Sequence, residues 1–166
     1  IRDRPDTVAS VGETVADMRR RADAFGRKLT YGLRAHMIVR ETEAEARAAA
    51  DRLLTKLDLA TGEQIRNKSL DTQSAGVSRQ NELRDGADDD GYAEANLWTG
   101  VGRARSGAGA AIVGDPDQVV AKLKAYQEVG VEAFILSGYT HIAECDLVAE
   151  HVLPNIEHSA LRPRWG

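Results

Sequence analysis

The sequence predicts an α/β fold in which a parallel sheet is covered by helices. Two observations carry this. Stretches of strand length and stretches with helical apolar spacing alternate along the chain, in the order α, β, α, long insert, β, α, β, α. The strand-length stretches are near-continuous apolar runs, as expected of strands buried on both faces.

The elements follow in order. "SVGETVADMRRRADAFGRK" has Val15, Met18 and Ala22 at helical spacing, with Ser10 and Glu13 as a capping box and Gly26 as a terminator. "LTYGLRAHMIV" is a strand. Thr42 and Glu45 form a second capping box, opening an alanine-rich helix that runs to about Leu57. From Asp58 to Gly109 the chain is polar and rich in Gly, Asp and Asn. This is far longer than an ordinary connection, and such segments serve as lids or mobile functional loops. Short helices are expected within it, around Gly76 to Leu83, and Trp98 in "ANLWTGVG" predicts that part of it docks. Ala110 to Val113 is a short strand. Asp115 caps the next helix and Pro116 takes its first position, where a missing N–H costs nothing. "VEAFILSGY" is another buried strand, and "HIAECDLVAEHVLPNI" a final helix interrupted at Pro154. Three strands cannot close a barrel, and as an open sheet they leave apolar edges exposed. The stretch is therefore expected to be part of something larger or to depend on a partner.

Composition narrows the function classes. The chain has 166 residues, 42% of them hydrophobic, enough for one domain-sized core. Its net charge of -4, from 22 basic and 26 acidic residues, leaves no electrostatic footprint for nucleic acid or an anionic membrane. No apolar run approaches the roughly 20 residues that span a bilayer. No signal-peptide pattern is visible, and the single cysteine, Cys145, fits a reducing cytoplasm.

The strand at residues 29–39 carries the first candidate chemistry. Leu33, Ala35, Met37 and Val39 point one way, suited to packing against helices. Gly32, Arg34, His36 and Ile38 point the other way, toward a barrel interior or cleft. A buried guanidinium needs an anionic partner. One reading is an Arg–carboxylate pair with His36 as a satisfied core histidine. The other is a pocket in which Arg34 grips an oxyanion through two parallel hydrogen bonds. "ILSGYTH" lies at the C-terminal end of a strand, the end that carries the site in (β/α) architectures, and offers Tyr139 and His141. Its plainer reading is a capping turn, with Thr140 as N-cap. The glycines of "GVGRARSGAGAAIVG" precede a strand instead of following one, so a dinucleotide loop is not indicated. A flexible loop bearing Arg103 and Arg105 is the better account. His36, His141, His151 and His158 have no ligand spacing, so no metal is expected. Cys145, inside the last helix, reads as a buried structural thiol.

Three stretches in this order, "YGLRAHMIVRETEAEA", "NLWTGVGRARSGAGAAIVGDPDQV" and "VEAFILSGYTH", resemble the C-terminal half of the alkanesulfonate monooxygenases, members of the bacterial luciferase-like flavin-dependent monooxygenases. The resemblance runs from about residue 12 to 155. It implies a TIM (β/α)8 barrel, of which these residues supply about the last three βα units with the 58–109 insertion between them. It implies a two-component cytoplasmic system acting in sulfur metabolism. A separate NAD(P)H-dependent flavin reductase delivers reduced FMN, which reacts with O₂, and the C–S bond of an organosulfonate is cleaved to an aldehyde and sulfite. The family's pocket arginine and histidine match Arg34 and His36, its mobile-loop arginine matches Arg105, and its tyrosine after the last strand matches Tyr139. On that basis Arg34, His36 and Tyr139 are the candidate catalytic residues, with Arg105 and Tyr139 on the flavin. Dimers or tetramers are implied, and neither nucleic acid nor membrane is expected as a partner.

The stretch "RDGADDDGYAEANLW" departs from the alkanesulfonate enzymes and leaves the substrate open, with dimethyl sulfone, methanesulfonate and a sugar sulfonate as alternatives. The family's N-terminal half lies outside the resemblance, so residues 1–166 alone are expected to be inactive. A reading of another class is a half-barrel that binds or assembles without catalysis. The tail 158–166, with Arg162, Arg164 and Trp165, is expected to dock on a neighbouring protomer.

Overall fold

The computed structural model describes residues 6–55, 82–104 and 109–158. Helix α1, Val8–Asp23, is capped by Thr7, whose hydroxyl accepts the Ser10 N–H at 3.3 Å. The expected Ser10–Glu13 box is therefore not the start. Beginning one turn earlier lets Val8 join Val11 and Val15 in the core, while Ser10 turns back to Asp6 at 2.9 Å. Gly26, just beyond the helix, takes the left-handed φ of 62° that favours glycine.

Strand β1 is Gly32–Val39, and helix α2 is Glu43–Leu54. The Thr42–Glu45 capping box forms in both directions, at 3.3 and 3.2 Å. Thr42→Ala should lower stability by about 1 kcal/mol in thermal unfolding. The expected helical extension at 56–57 lies outside the described residues, as do most of the helices expected near 76–83. One short helical turn is present at 82–85.

The described part of the insert is ordered where its apolar residues dock. Strands β2 (Tyr92–Glu94) and β3 (Leu97–Trp98) form a tight hairpin turned by Asn96, at a left-handed φ of 61°. A short helix α3, Val101–Ala104, follows, and then strand β4, Ala111–Gly114. Asn96 fastens the hairpin: its carbonyl accepts the Val113 N–H, and its amide donates to the Val113 carbonyl, both at 2.9 Å. Trp98 pairs with Ala111 and is fully buried, as its docking required.

Helix α4, Pro116–Glu128, starts on the Asp115 cap, reinforced by Gln118. Strand β5 is Ala133–Ser137, and helix α5 is His141–Leu147. Beyond α5 the helix widens to a π turn over Val148–Val152 and tightens to a 3₁₀ turn at Leu153–Asn155, around Pro154. Thr140 stands at the cap position of α5 but makes no side-chain cap bond.

The sheet is open, in the order β2-β3-β4-β1-β5, with β4 and β5 both parallel to β1. The step from β1 to β4 and the step from β4 to β5 run in opposite directions across the sheet. Right-handed crossovers then place their helices on opposite faces. Accordingly α4 and α1 cover the face of Leu33, Ala35, Met37 and Val39, the helix-packing face read from the sequence. Helix α2 lays Ala46, Ala49 and Ala50 on the face of Ile38, Ala111 and Val113. The face of Arg34 and His36 is thus half covered by α2, rather than bare toward a cleft. The result is a mixed α/β half-barrel with an open five-stranded sheet, the fold class expected for part of a barrel.

The edges also differ from expectation. Strand β3 covers the outer edge of β4. At the other margin, β5 is not the fully buried strand its apolar run predicted. Phe134 and Leu136 pack on the main core, but Ala133 and Ile135 are exposed, Ile135 at 48%. They share the face of Gly32 and Arg34, where α2 packs instead on Ile38, Ala111 and Val113.

A candidate active site on the β1–β5 face

The β1–β5 register sets His36 opposite Ser137, side by side on one face. His36 is buried, and its Nδ1 lies 3.0 Å from the Ser137 hydroxyl. Two residues after Ser137 the chain turns, and Tyr139 stacks on the imidazole with ring centroids 5.3 Å apart and planes 24° from parallel. His141 follows at 6.0 Å from Tyr139. Arg34 lies two residues before His36 on the same face, paired with Ile135.

The structure therefore brings together His36 and Tyr139, with Ser137 and His141 around them, and sets Arg34 beside this group. Arg34 is not the buried guanidinium that the apolar strand suggested. It is exposed, because nothing among the described residues covers this end of β5. Arg105 and the tail residues Arg162, Arg164 and Trp165 lie outside the described residues. Cys145 is exposed, not a buried thiol, and lines an open concavity with Phe134, Leu136 and Val148.

The buried charge of this region is one that the sequence did not single out. Glu144, on α5, is the only buried carboxylate among the described residues, at 2% exposure. Its Oε2 accepts the Val39 N–H at 3.1 Å, and its Oε1 accepts from the Arg40 guanidinium at 2.6 Å. A signal was present: Glu144, Val148 and Val152 fall at i, i+4 and i+8, so the carboxylate rides on the apolar stripe.

A second concavity, of about 470 Å³, lies between α2 and the hairpin, lined by Arg47, Asp51, Asp88, Tyr92, Trp98 and Thr99 among others. The Arg47 guanidinium sits 4.1 Å above the Tyr92 ring and bonds Glu43 at 2.8 Å. Hydrogen bonds from Gln118 and then Arg47 hold the Glu43 carboxyl below its usual range, and the Glu43 bond raises Arg47. Burial pushes the Tyr92 phenol up to about 12, against the opposing pull of Arg47. A phenol whose pKa is raised on folding supports the fold fully below its unfolded value of 10.0 and loses that support as pH climbs toward 12. Alkaline destabilisation over that window should thus be smaller in Tyr92→Phe than in the wild type, as read by chemical denaturation at pH 9 and about pH 11.5.

No helix among the described residues is long and apolar enough to cross a membrane. A family model described as luciferase-like monooxygenase matches residues 6–133. The chain is 63% identical over 157 residues to a sulfoquinovose monooxygenase of Novosphingobium aromaticivorans, covering 95% of this chain and 43% of that protein. It is 49% identical over 162 residues to a sulfoquinovose monooxygenase of Agrobacterium fabrum, covering 98% and 42% respectively. It thus spans less than half the length of these curated relatives. Among solved structures, riboflavin lyase (RcaE), crystallised with modified FMN and riboflavin, aligns over 91% of this chain and 36% of its own, with a TM-score of 0.64 and 16% identity, a likeness of fold. With a family match across most of its length and relatives this similar, the chain belongs to the luciferase-like monooxygenase family.

Proposed function

We propose that the protein containing this chain is an FMNH₂-dependent monooxygenase that cleaves the C–S bond of an organosulfonate, with a sugar sulfonate as its substrate class. The observation that carries this is the 63% identity, over nearly the whole chain, to a sulfoquinovose monooxygenase. The donor set of the β1–β5 face is compatible with such a reaction. An exposed guanidinium suits a compact three-oxygen anion, and a stacked imidazole and phenol offer a planar neighbour and hydrogen-bond donors to a flavin or to oxygen.

Reduced FMN, when bound, supplies the two electrons that activate O₂, and a separate NAD(P)H-dependent reductase regenerates it. One oxygen atom ends in the aldehyde carbonyl and the other in water, while sulfur leaves as sulfite. Arg34 binds and orients the sulfonate through paired N–H···O bonds. His36, steadied by Ser137 and Tyr139, donates a hydrogen bond or passes a proton at the reacting end. Tyr139 donates from its phenol toward oxygen.

The test is sulfite release by the full-length protein with FMN, a flavin reductase, NAD(P)H and O₂. Sulfoquinovose, a straight-chain alkanesulfonate and methanesulfonate would be compared. A site built to hydrogen-bond sugar hydroxyls should favour sulfoquinovose in kcat/KM by at least about tenfold. Absence of sulfite from all three would refute the proposal.

A further inference from the structure

We infer that Glu144 is a positioning residue: it clamps the β5–α5 turn onto the end of β1 and so holds Tyr139 against His36. This rests on the proposed role of the His36–Tyr139 pair.

The clamp has three contacts. The first is to backbone. Strand β5 ends its pairing with β1 at Ser137, opposite His36, so the last residues of β1 run on beyond it. The Val39 N–H is met there by Glu144 Oε2 at 3.1 Å. The second is to charge. Arg40, the first residue past β1, gives its guanidinium to Glu144 Oε1 at 2.6 Å and is itself only 29% exposed. The third is steric. Gly138 lies so close to Glu144 that a Cβ added there would come within 2.5 Å of both Glu144 Cβ and Cγ, and within 3.1 Å of the Met37 carbonyl.

Gly138 is the residue between Ser137, which bonds His36, and Tyr139, which stacks on it. Glu144 therefore touches the chain on either side of the pair: β1 beyond His36, and the turn before Tyr139. A buried carboxylate is costly unless its partners are fixed. Both oxygens have partners on β1 or immediately after it, so the carboxylate fixes where α5 begins and hence where Tyr139 lies. It does so without contact to the His36 or Tyr139 rings among the interactions seen, which sets it apart from the groups proposed to meet substrate.

The experiment is a mutant cycle in the full-length protein using Glu144→Gln, Glu144→Ala, Tyr139→Phe and the double variants. A misplacement of about 1 Å in a reacting group costs about a hundredfold. Glu144→Ala is thus expected to lower kcat for sulfite release by about 10- to 100-fold, with KM changed less than about threefold. Glu144→Gln keeps an acceptor for Val39 and should fall between. In a Tyr139→Phe background the Glu144 effect should shrink, because residues acting through one another are not additive. Should Glu144→Ala fail to fold, Glu144→Gln carries the cycle.

A readout independent of turnover accompanies it: hydrogen exchange of the peptide 137–143, expected to quicken in Glu144→Gln while α4 is unchanged. Full additivity with Tyr139→Phe, or unchanged exchange at 137–143, would overturn the clamp. If Tyr139→Phe and His36→Ala leave turnover intact while exchange at 137–143 still quickens, the clamp stands and the role proposed for the pair fails.

Discussion

Arg34→Ala in the full-length protein should lower kcat/KM for sulfite release by about 10- to 100-fold, the worth of a hydrogen-bonded charge contact of about 1.5–3 kcal/mol. Most of this should appear in KM, since a sulfonate is bound by the same guanidinium before and during reaction. Arg34→Lys should recover little, because an ammonium restores charge but not the planar pair of donors. Thermal unfolding of each variant, run beside the kinetics, separates lost binding from lost fold. Near-normal kcat/KM in Arg34→Lys would remove Arg34 from the site.

The largest effect on stability is expected at Trp98. Its indole is 1% exposed, in a cluster with Ala49 and Ala50 of α2 and with Tyr92 and Val101. Truncation to alanine leaves a cavity and should cost about 3–5 kcal/mol in denaturant unfolding of the full-length protein. That is a large share of a domain's typical total of about 5–15 kcal/mol. Gly100 reports on the same packing, since any Cβ there would overlap the Trp98 indole. Gly100→Ala should therefore destabilise in the same direction. If Trp98→Ala costs less than about 1 kcal/mol, the hairpin does not depend on this anchor.

What the sequence made legible is local. The Thr42–Glu45 and Asp115–Pro116 helix starts are encoded within four residues, and both form as expected. The helix-packing side of β1 follows from alternation alone, and Leu33, Ala35, Met37 and Val39 all enter the main core. Where two signals of equal strength compete, the local rule fails. Thr7 and Ser10 are both good caps, and burial of Val8 decides between them. What the sequence could not show is which element covers which face. "AFILS" has the composition of a buried strand, yet Ile135 is exposed because coverage of β5 depends on the sheet order, a long-range property. The same reason exposes Cys145 and buries Glu144 on neighbouring positions of α5. In the candidate site, Arg34, His36 and Tyr139 could be named from a resemblance. Ser137 needed the register of β1 against β5, which sequence spacing does not supply, and Glu144 was legible as a carboxylate on an apolar helix stripe but not in its partners Val39 and Arg40.

The most direct test of the account is a crystal structure of the full-length protein with a bound sugar sulfonate. Sulfonate oxygens are expected at hydrogen-bond distance, about 2.7–3.2 Å, from the Arg34 guanidinium, with His36 and Tyr139 still stacked beside them. A sulfonate held elsewhere in the protein, with Arg34 turned to solvent, would contradict it.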